Sequence, residues 1–281
     1  MAILLGVDTG GTYTDAVLMR DEEAVIASAK ALTTRHDLAI GVREAVKAVL
    51  AVSDITPSDI ALASLSTTLA TNALVEGQGA RVALIYIGFS ERDLAAQGLA
   101  DALGGDPVLV IAGGHSHGGA EVAPLDVAKI TAWAAAQDVS AFAIAAQFGT
   151  RNPAHELAAR EAVREATGLP VTCSHELSAR LGGPKRALTA VLNARLVGLT
   201  HRLIGRAEGA LRELGIDAPL MVVRGDGALM SSIQAQERPI ETILSGPAAS
   251  IVGARWLTGA DHALVSDIGG TTTDIAVLRH G

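Results

Sequence analysis

One eight-residue string occurs twice in this chain, and the repeat constrains the fold more than any other feature. Asp8 to Asp15 reads DTGGTYTD, and 259 positions later Asp267 to Asp274 reads DIGGTTTD, with six of the eight residues identical. What recurs is Asp-x-Gly-Gly-Thr-x-Thr-Asp, so the polar and glycine positions are kept while the others change. Apolar runs flank each copy: Ile3 to Val7 and Ala16 to Met19 around the first, Ala263 to Ser266 and Ile275 to Leu278 around the second. Apolar run, glycine turn and apolar run read as strand, turn and strand. A Gly-Gly pair alone suffices for an ordinary hairpin, but such a hairpin needs no acid before the turn, hydroxyls inside it or second acid after it. Two such loops predict a pair facing each other across a cleft, with phosphate between them.

The residue types suit that task. Gly10, Gly11, Gly269 and Gly270 have no side chain to hold the backbone away from an anion, and successive N–H groups there can converge on one phosphate. Thr12, Thr14, Thr271 and Thr273 add hydroxyl donors, and Asp15 and Asp274 close the two loops. Asp8 and Asp267 repel bare phosphate. Their natural role is to hold a divalent cation through water, or to orient an attacking group. They are taken as the metal-binding and catalytic acids, the other ten residues as the anion-binding set, and the implied cation is magnesium.

Composition removes several rival classes. Hydrophobic residues make up 49% of the 281-residue chain and charged ones 19%, which is ordinary globular usage and excludes a disordered chain. Lys plus Arg number 22 against 30 Asp plus Glu, a formal net charge of -8 with no basic block, so no nucleic-acid footprint is expected. Aromatic residues are only 2%, which also disfavours base stacking and leaves the core to Ala, Val, Leu and Ile. No run approaches the roughly 20 apolar residues of a membrane span, and Ala2 to Leu5 lacks the basic residue that opens a signal peptide. Cys173 is the single cysteine, read as a small buried hydrophobe in a reducing, cytoplasmic compartment.

Between the two strings, strand and helix patterns alternate, which predicts an α/β fold. Helices are expected from Leu38 to Leu50, Leu125 to Gln137, His155 to Thr167, about Lys185 to Leu214, and Pro247 to Leu257. Strands are expected at Val82 to Ile87, Ala141 to Ala146, Leu220 to Val223 and Ala263 to Ser266. On the helix after Pro153, Glu156 and Arg160 are expected to pair across one turn of a solvated face. Gly182, Gly183 and Pro184 punctuate the chain before the longest helix, so the domain boundary is placed there, giving regions 1–183 and 184–281.

Beyond the two strings, TTLATNALVEGQGARVALI (Thr67 to Ile85), GGHSHGG (Gly113 to Gly119), FGTRNPAHE (Phe148 to Glu156), SHELSARLGGPKRALTAVLNA (Ser174 to Ala194) and LSGPAASIVGA (Leu244 to Ala254) occur in this order. Together they resemble the hydantoinase A / 5-oxoprolinase family, within the actin, sugar-kinase and 70-kDa heat-shock superfamily of ATPases, and the resemblance runs along essentially the whole chain. It implies a ribonuclease H-like, actin-type ATPase fold with one full N-terminal domain and the beginning of a second, because the superfamily's second domain continues beyond its phosphate hairpin. It also implies ATP and Mg2+ as cofactors, a cyclic amide such as hydantoin or 5-oxoproline, or a ketone, as substrate, and ring opening as the reaction. A second hydantoinase-type subunit and an oligomer are further expectations. A small-molecule kinase and a non-catalytic nucleotide-binding subunit are the alternatives. Many family members read His-Gly-Thr-Thr where this chain has Leu65, Ser66, Thr67 and Thr68, so any duty of that histidine is missing or moved.

Other polar residues have weaker signals. Thr67, Thr68, Thr71 and Asn72 suit either a cleft floor or a self-capping helix start. His115 and His117 are two apart in a glycine loop, a spacing that fits a flexible loop better than a metal site. His155-Glu156 and His175-Glu176 lack the second histidine of a zinc-protease motif. Ser245 is placed to open a helix facing an anion, or merely to cap it.

Overall fold

The structure, a computed structural model, describes every residue except 1, 35, 76, 78, 271, 272 and 281. Its strands in chain order are β1 (Ile3–Thr9), β2 (Tyr13–Arg20), β3 (Ala24–Leu32), β4 (Ile60–Thr67), β5 (Val82–Ile87), β6 (Val108–Ile111), β7 (Ala141–Ala146), β8 (Val171–Cys173), β9 (Leu220–Val223), β10 (Leu229–Ser231), β11 (His262–Ile268) and β12 (Thr273–Arg279). The chain divides into two compact units, Met1–Val75 with Thr200–Gly281, and Glu76–Leu199. The boundary expected at Gly183 and Pro184 falls inside the second unit, at the start of the helix Gly183–Glu213. The first unit is discontinuous because β9, far along the chain, pairs in parallel with β4.

In the first unit a six-stranded mixed sheet runs β10-β9-β4-β1-β2-β3. Alternation along β1 explains its two faces. Ile3, Leu5 and Val7 point to a core shared with Val42, Val46 and Val49 of the helix Leu38–Ala51 and with Leu203, Ile204 and Leu211. Asp37 starts that helix by accepting a hydrogen bond from the Ala39 N–H at 3.3 Å. Gly6 and Asp8 lie on the other face. The hairpin β11–β12 is a separate two-stranded sheet, joined through the helix Ser245–Thr258.

In the second unit a four-stranded parallel sheet runs β6-β5-β7-β8. Every residue of β5 and β7 is buried, so both read as unbroken apolar runs instead of alternating ones. One face meets Ile130, Ala159 and Val163, and the other meets Ala187, Ala190, Val191 and Ala194. Facing alanines replace the missing aromatics here: small side chains let helix and sheet approach closely, so dense packing needs few rings.

Glu156 corrects one expectation. It is fully buried rather than paired with Arg160 on a solvated face; Arg160 instead bonds Glu161 at 3.1 Å and Glu176 at 2.7 Å. The Glu156 carboxylate accepts from the Ala146 N–H at 2.8 Å, the Ser174 hydroxyl at 2.6 Å, the His175 N–H at 3.0 Å and His175 Nδ1 at 2.6 Å. Burial alone pushes this carboxyl up, but the bonds from His175, Ser174 and Ala146 outweigh it and hold it below its ordinary pKa. The fully buried Arg186 donates to Ser174 Oγ and to the Ala146, Arg180 and Leu181 carbonyls, closing the network. Among the described residues, no helix is long and apolar enough to cross a membrane.

Candidate functional site

The duplicated string folds into duplicated geometry. Asp8 on β1 lies directly opposite Asp15 on β2, and Asp267 on β11 lies directly opposite Asp274 on β12. Nine of the twelve predicted residues line one cleft of about 420 Å³: Asp8, Gly10, Gly11, Thr12, Asp15, Asp267, Gly269, Gly270 and Asp274. The tips come close enough that a Cβ added at Gly270 would strike the Thr12 side chain. Glycine there serves close approach, since its φ is not positive.

Two threonines are placed elsewhere. Thr14 is fully buried, its hydroxyl 3.0 Å from that of Thr33, because strand alternation turns it to the core when Asp15 faces the cleft. Thr273 precedes Asp274 on β12 and, by the same alternation, does not line the cleft. Thr271 lies outside the described residues. Within the first turn the Gly10 N–H donates to the Tyr13 carbonyl at 3.0 Å and is spent on the loop itself. The N–H groups of Gly11 and Thr12 have no backbone acceptor among the described residues.

Charge is concentrated on one cross-strand row. Ser66 on β4, Asp8 on β1, Asp15 on β2 and Lys30 on β3 are successive direct neighbours. Like charges opposed across strands are destabilising, and only Asp15 is answered, by Lys30 at 3.2 Å. Burial lifts the Asp8 carboxyl above the usual range; Ser66 opposes this, Asp15 and Asp267 add to it, and Lys30 opposes. Asp8 Oδ1 and Ser66 Oγ are buried without a hydrogen-bond partner. Four carboxylates with one orphaned oxygen fit a hard cation that prefers oxygen donors. No three of them, among the described residues, bring ligand atoms within 4.8 Å of one another.

Residues outside the two strings complete the cleft. Lys30, Thr68, Gly246 and Pro247 line it as well. Ser245 does not cap its helix; its hydroxyl donates to the Thr67 carbonyl at 2.9 Å and so ties the helix start to the end of β4. The first turn of a 14-residue helix thereby borders the cleft, with its positive end toward any anion there. Of the polar residues from the end of β4 onward, Thr67 accepts from the Leu69 N–H at 3.1 Å and Thr71 from the Leu244 N–H at 3.0 Å, so both brace the backbone while Thr68 borders the cleft. Lys30 was within reach of sequence reasoning, because period-two alternation through AVIASAKAL puts it on the face of Ser28.

The second unit's histidines sit in two places: His175 lies with Glu156 and Cys173, whose ligand atoms come within 4.8 Å of one another, and the others lie around Gly114. His115 is buried with its ring 4.5 Å from that of His155, whereas His117 is exposed. His155 Nδ1 accepts the Gly114 N–H at 2.9 Å, so Nε2 carries the proton and donates to Glu121 at 2.8 Å. With one ring nitrogen accepting and the other donating, the His155 ring has no lone pair free for a metal. Cys173 is buried, with its thiol pushed up by burial, which keeps it unreactive.

Mixed α/β units with twin acidic glycine hairpins around one cleft define the actin-type ATPase fold. Within that class the chain belongs to the hydantoinase/oxoprolinase family: its N-terminal region matches residues 4–167, and the hydantoinase/oxoprolinase region matches 186–281. The chain is 31% identical to caprolactamase subunit alpha of Pseudomonas jessenii, covering 99% of this chain and 43% of that one. It is 30% identical to the acetophenone carboxylase gamma subunit of Aromatoleum aromaticum, covering 98% and 42%. The crystal structure of ATP-dependent caprolactamase from Pseudomonas jessenii superposes with a TM-score of 0.80 at 30% identity, covering 98% of this chain and 43% of that one. The chain therefore spans less than half the length of these relatives.

Proposed function

We propose that this chain is the nucleotide-handling part of an ATP-dependent enzyme that activates a cyclic amide for ring opening, with a ketone as the neighbouring substrate class. The observation that carries this reading is the matched pairing of Asp8 with Asp15 and Asp267 with Asp274 around one cleft. Relatives with ATP-dependent lactam opening and ketone carboxylation in their names support it. When bound, ATP with magnesium supplies a phosphoryl group for a carbonyl-derived oxygen. Asp8 and Asp267 hold the hydrated cation, with Asp267 steadied by the Ser250 hydroxyl at 2.5 Å. Gly11, Thr12, Gly269 and Gly270 line the phosphates, and the start of the helix Ser245–Thr258 adds its dipole. The matches at 4–167 and 186–281 support two sequence regions divided near Gly183 and Pro184. The relatives are named as subunits, which supports a partner subunit and an oligomer, and a single, buried cysteine suits a reducing cytoplasm.

Phosphate release by the purified chain, alone and with hydantoin, 5-oxoproline or a lactam, tests this. Release stimulated by the cyclic amide is expected. A stable phosphorylated substrate would make the protein a kinase, and tight Mg-ATP binding without turnover would make it a nucleotide-binding subunit. The variant Gly270→Val, whose side chain collides with Thr12, is expected to weaken Mg-ATP about tenfold, or about 1.4 kcal/mol; calorimetry showing unchanged affinity would remove the second loop from the site.

A further inference from the structure

Lys30 is the sole Lys or Arg among the described residues lining the cleft, where it faces Asp8, Asp15, Asp267 and Asp274. One positive and four negative groups leave the lining formally three charges negative, so a polyphosphate with a single divalent cation still meets net repulsion. Lys30 holds Asp15 at 3.2 Å and lies 5.0 Å above the Tyr13 ring, yet its side chain is 56% exposed. A half-exposed Lys–Asp pair contributes little, so giving it up costs little, whereas a bond from an ammonium to phosphate is charge-assisted and strong. There is also room to move: a second cavity, of about 520 Å³, meets the cleft at Asp8, Asp15 and Lys30.

We propose that Lys30 exchanges Asp15 for the terminal phosphate of the nucleotide, and that the exchange frees Asp15 to turn toward the cation. The proposal rests on the cleft being the nucleotide site. No covalent bond to Lys30 forms or breaks. Its position on β3, directly opposite Asp15, makes the pair a latch that the anion itself opens.

Calorimetry of Mg-ATP binding to the full chain tests the exchange. Lys30→Gln is expected to weaken binding about 10- to 30-fold, as for loss of a charged hydrogen bond, while Lys30→Arg stays within about threefold because it keeps the charge. The decisive arm is the Asp15→Asn background. If Lys30 touches phosphate, adding Lys30→Gln there still costs about tenfold. If Lys30 only neutralises Asp15, the second change costs nothing and the proposal is overturned. Unchanged affinity in Lys30→Gln, alongside lost binding in Asp8→Asn, overturns the role of Lys30 but leaves the nucleotide site standing. No Mg-ATP binding by the unaltered chain overturns both.

Discussion

Asp8→Asn is expected to cut magnesium-dependent phosphate release about 100-fold while leaving the chain folded and, without cation, slightly more stable. The two effects share a cause. The native fold half-buries Asp8, and it holds its proton more tightly than the unfolded chain does. Stability therefore falls as pH rises from the ordinary value of 3.8 through the raised native value, and remains lower above it. Asparagine removes that loss along with the repulsion from Asp15 opposite, worth about 0.5 kcal/mol. Thermal melts at pH 7 with and without Mg-ATP check this. Asp8→Asn should melt higher than the unaltered chain in the absence of ligand and gain nothing from Mg-ATP. A variant that melts lower, or that still responds to Mg-ATP, would show that Asp8 is a packing residue. A side chain that costs stability and leaves a buried oxygen unpartnered is what a ligand site requires of its protein.

The second large effect is expected far from the cleft in sequence. Glu156→Ala should destabilise the second unit by about 3–5 kcal/mol, because it removes the negative charge that balances the fully buried Arg186 and leaves the Ser174, His175 and Ala146 donors without their acceptor. Each unit carries one of the two tryptophans, Trp133 in the second and Trp256 in the first, so their emission can be followed separately in single-Trp backgrounds. The Trp133 signal should move to much lower urea, and coincident, unshifted transitions for both tryptophans would refute the prediction. In the unaltered chain the stability from Glu156 is complete above its ordinary pKa of 4.5. It disappears as pH falls through the lower native value, so acid should loosen the second unit first.

The strands and helices that set the fold class were legible because their patterns are local. The runs at Val82–Ile87 and Ala141–Ala146, the helix Leu38–Ala51 and both hairpins lie where apolar period and glycine turns put them. Nine cleft residues were legible for a different reason: a string that occurs twice, with its polar positions kept, announces a shared task. Thr14 and Thr273 turn away from the cleft because the alternation of a strand, which the repeated string does not display, sets their face. Glu156 was misplaced because Arg160 four residues on offers a plausible surface partner, while Ser174, His175 and Arg186 reach it only through the folding of β7 and β8. The start of the helix Ser245–Thr258 comes to the cleft by tertiary contact, which no local window contains, whereas the alternation of AVIASAKAL already gives the face of Lys30.

The row Ser66, Asp8, Asp15, Lys30 also limits how this protein can change. On β1 and β2 one face supplies Leu5, Val7, Ala16 and Leu18 to the core, and the other supplies carboxylates to the cleft. Deleting or inserting a single residue ahead of either acid would exchange the two faces, carrying charge into oil and leucine into the cleft. Such strings can diverge by substitution or be copied whole, but they cannot drift in length. A family built on them should vary between its hairpins and keep the spacing within each one fixed.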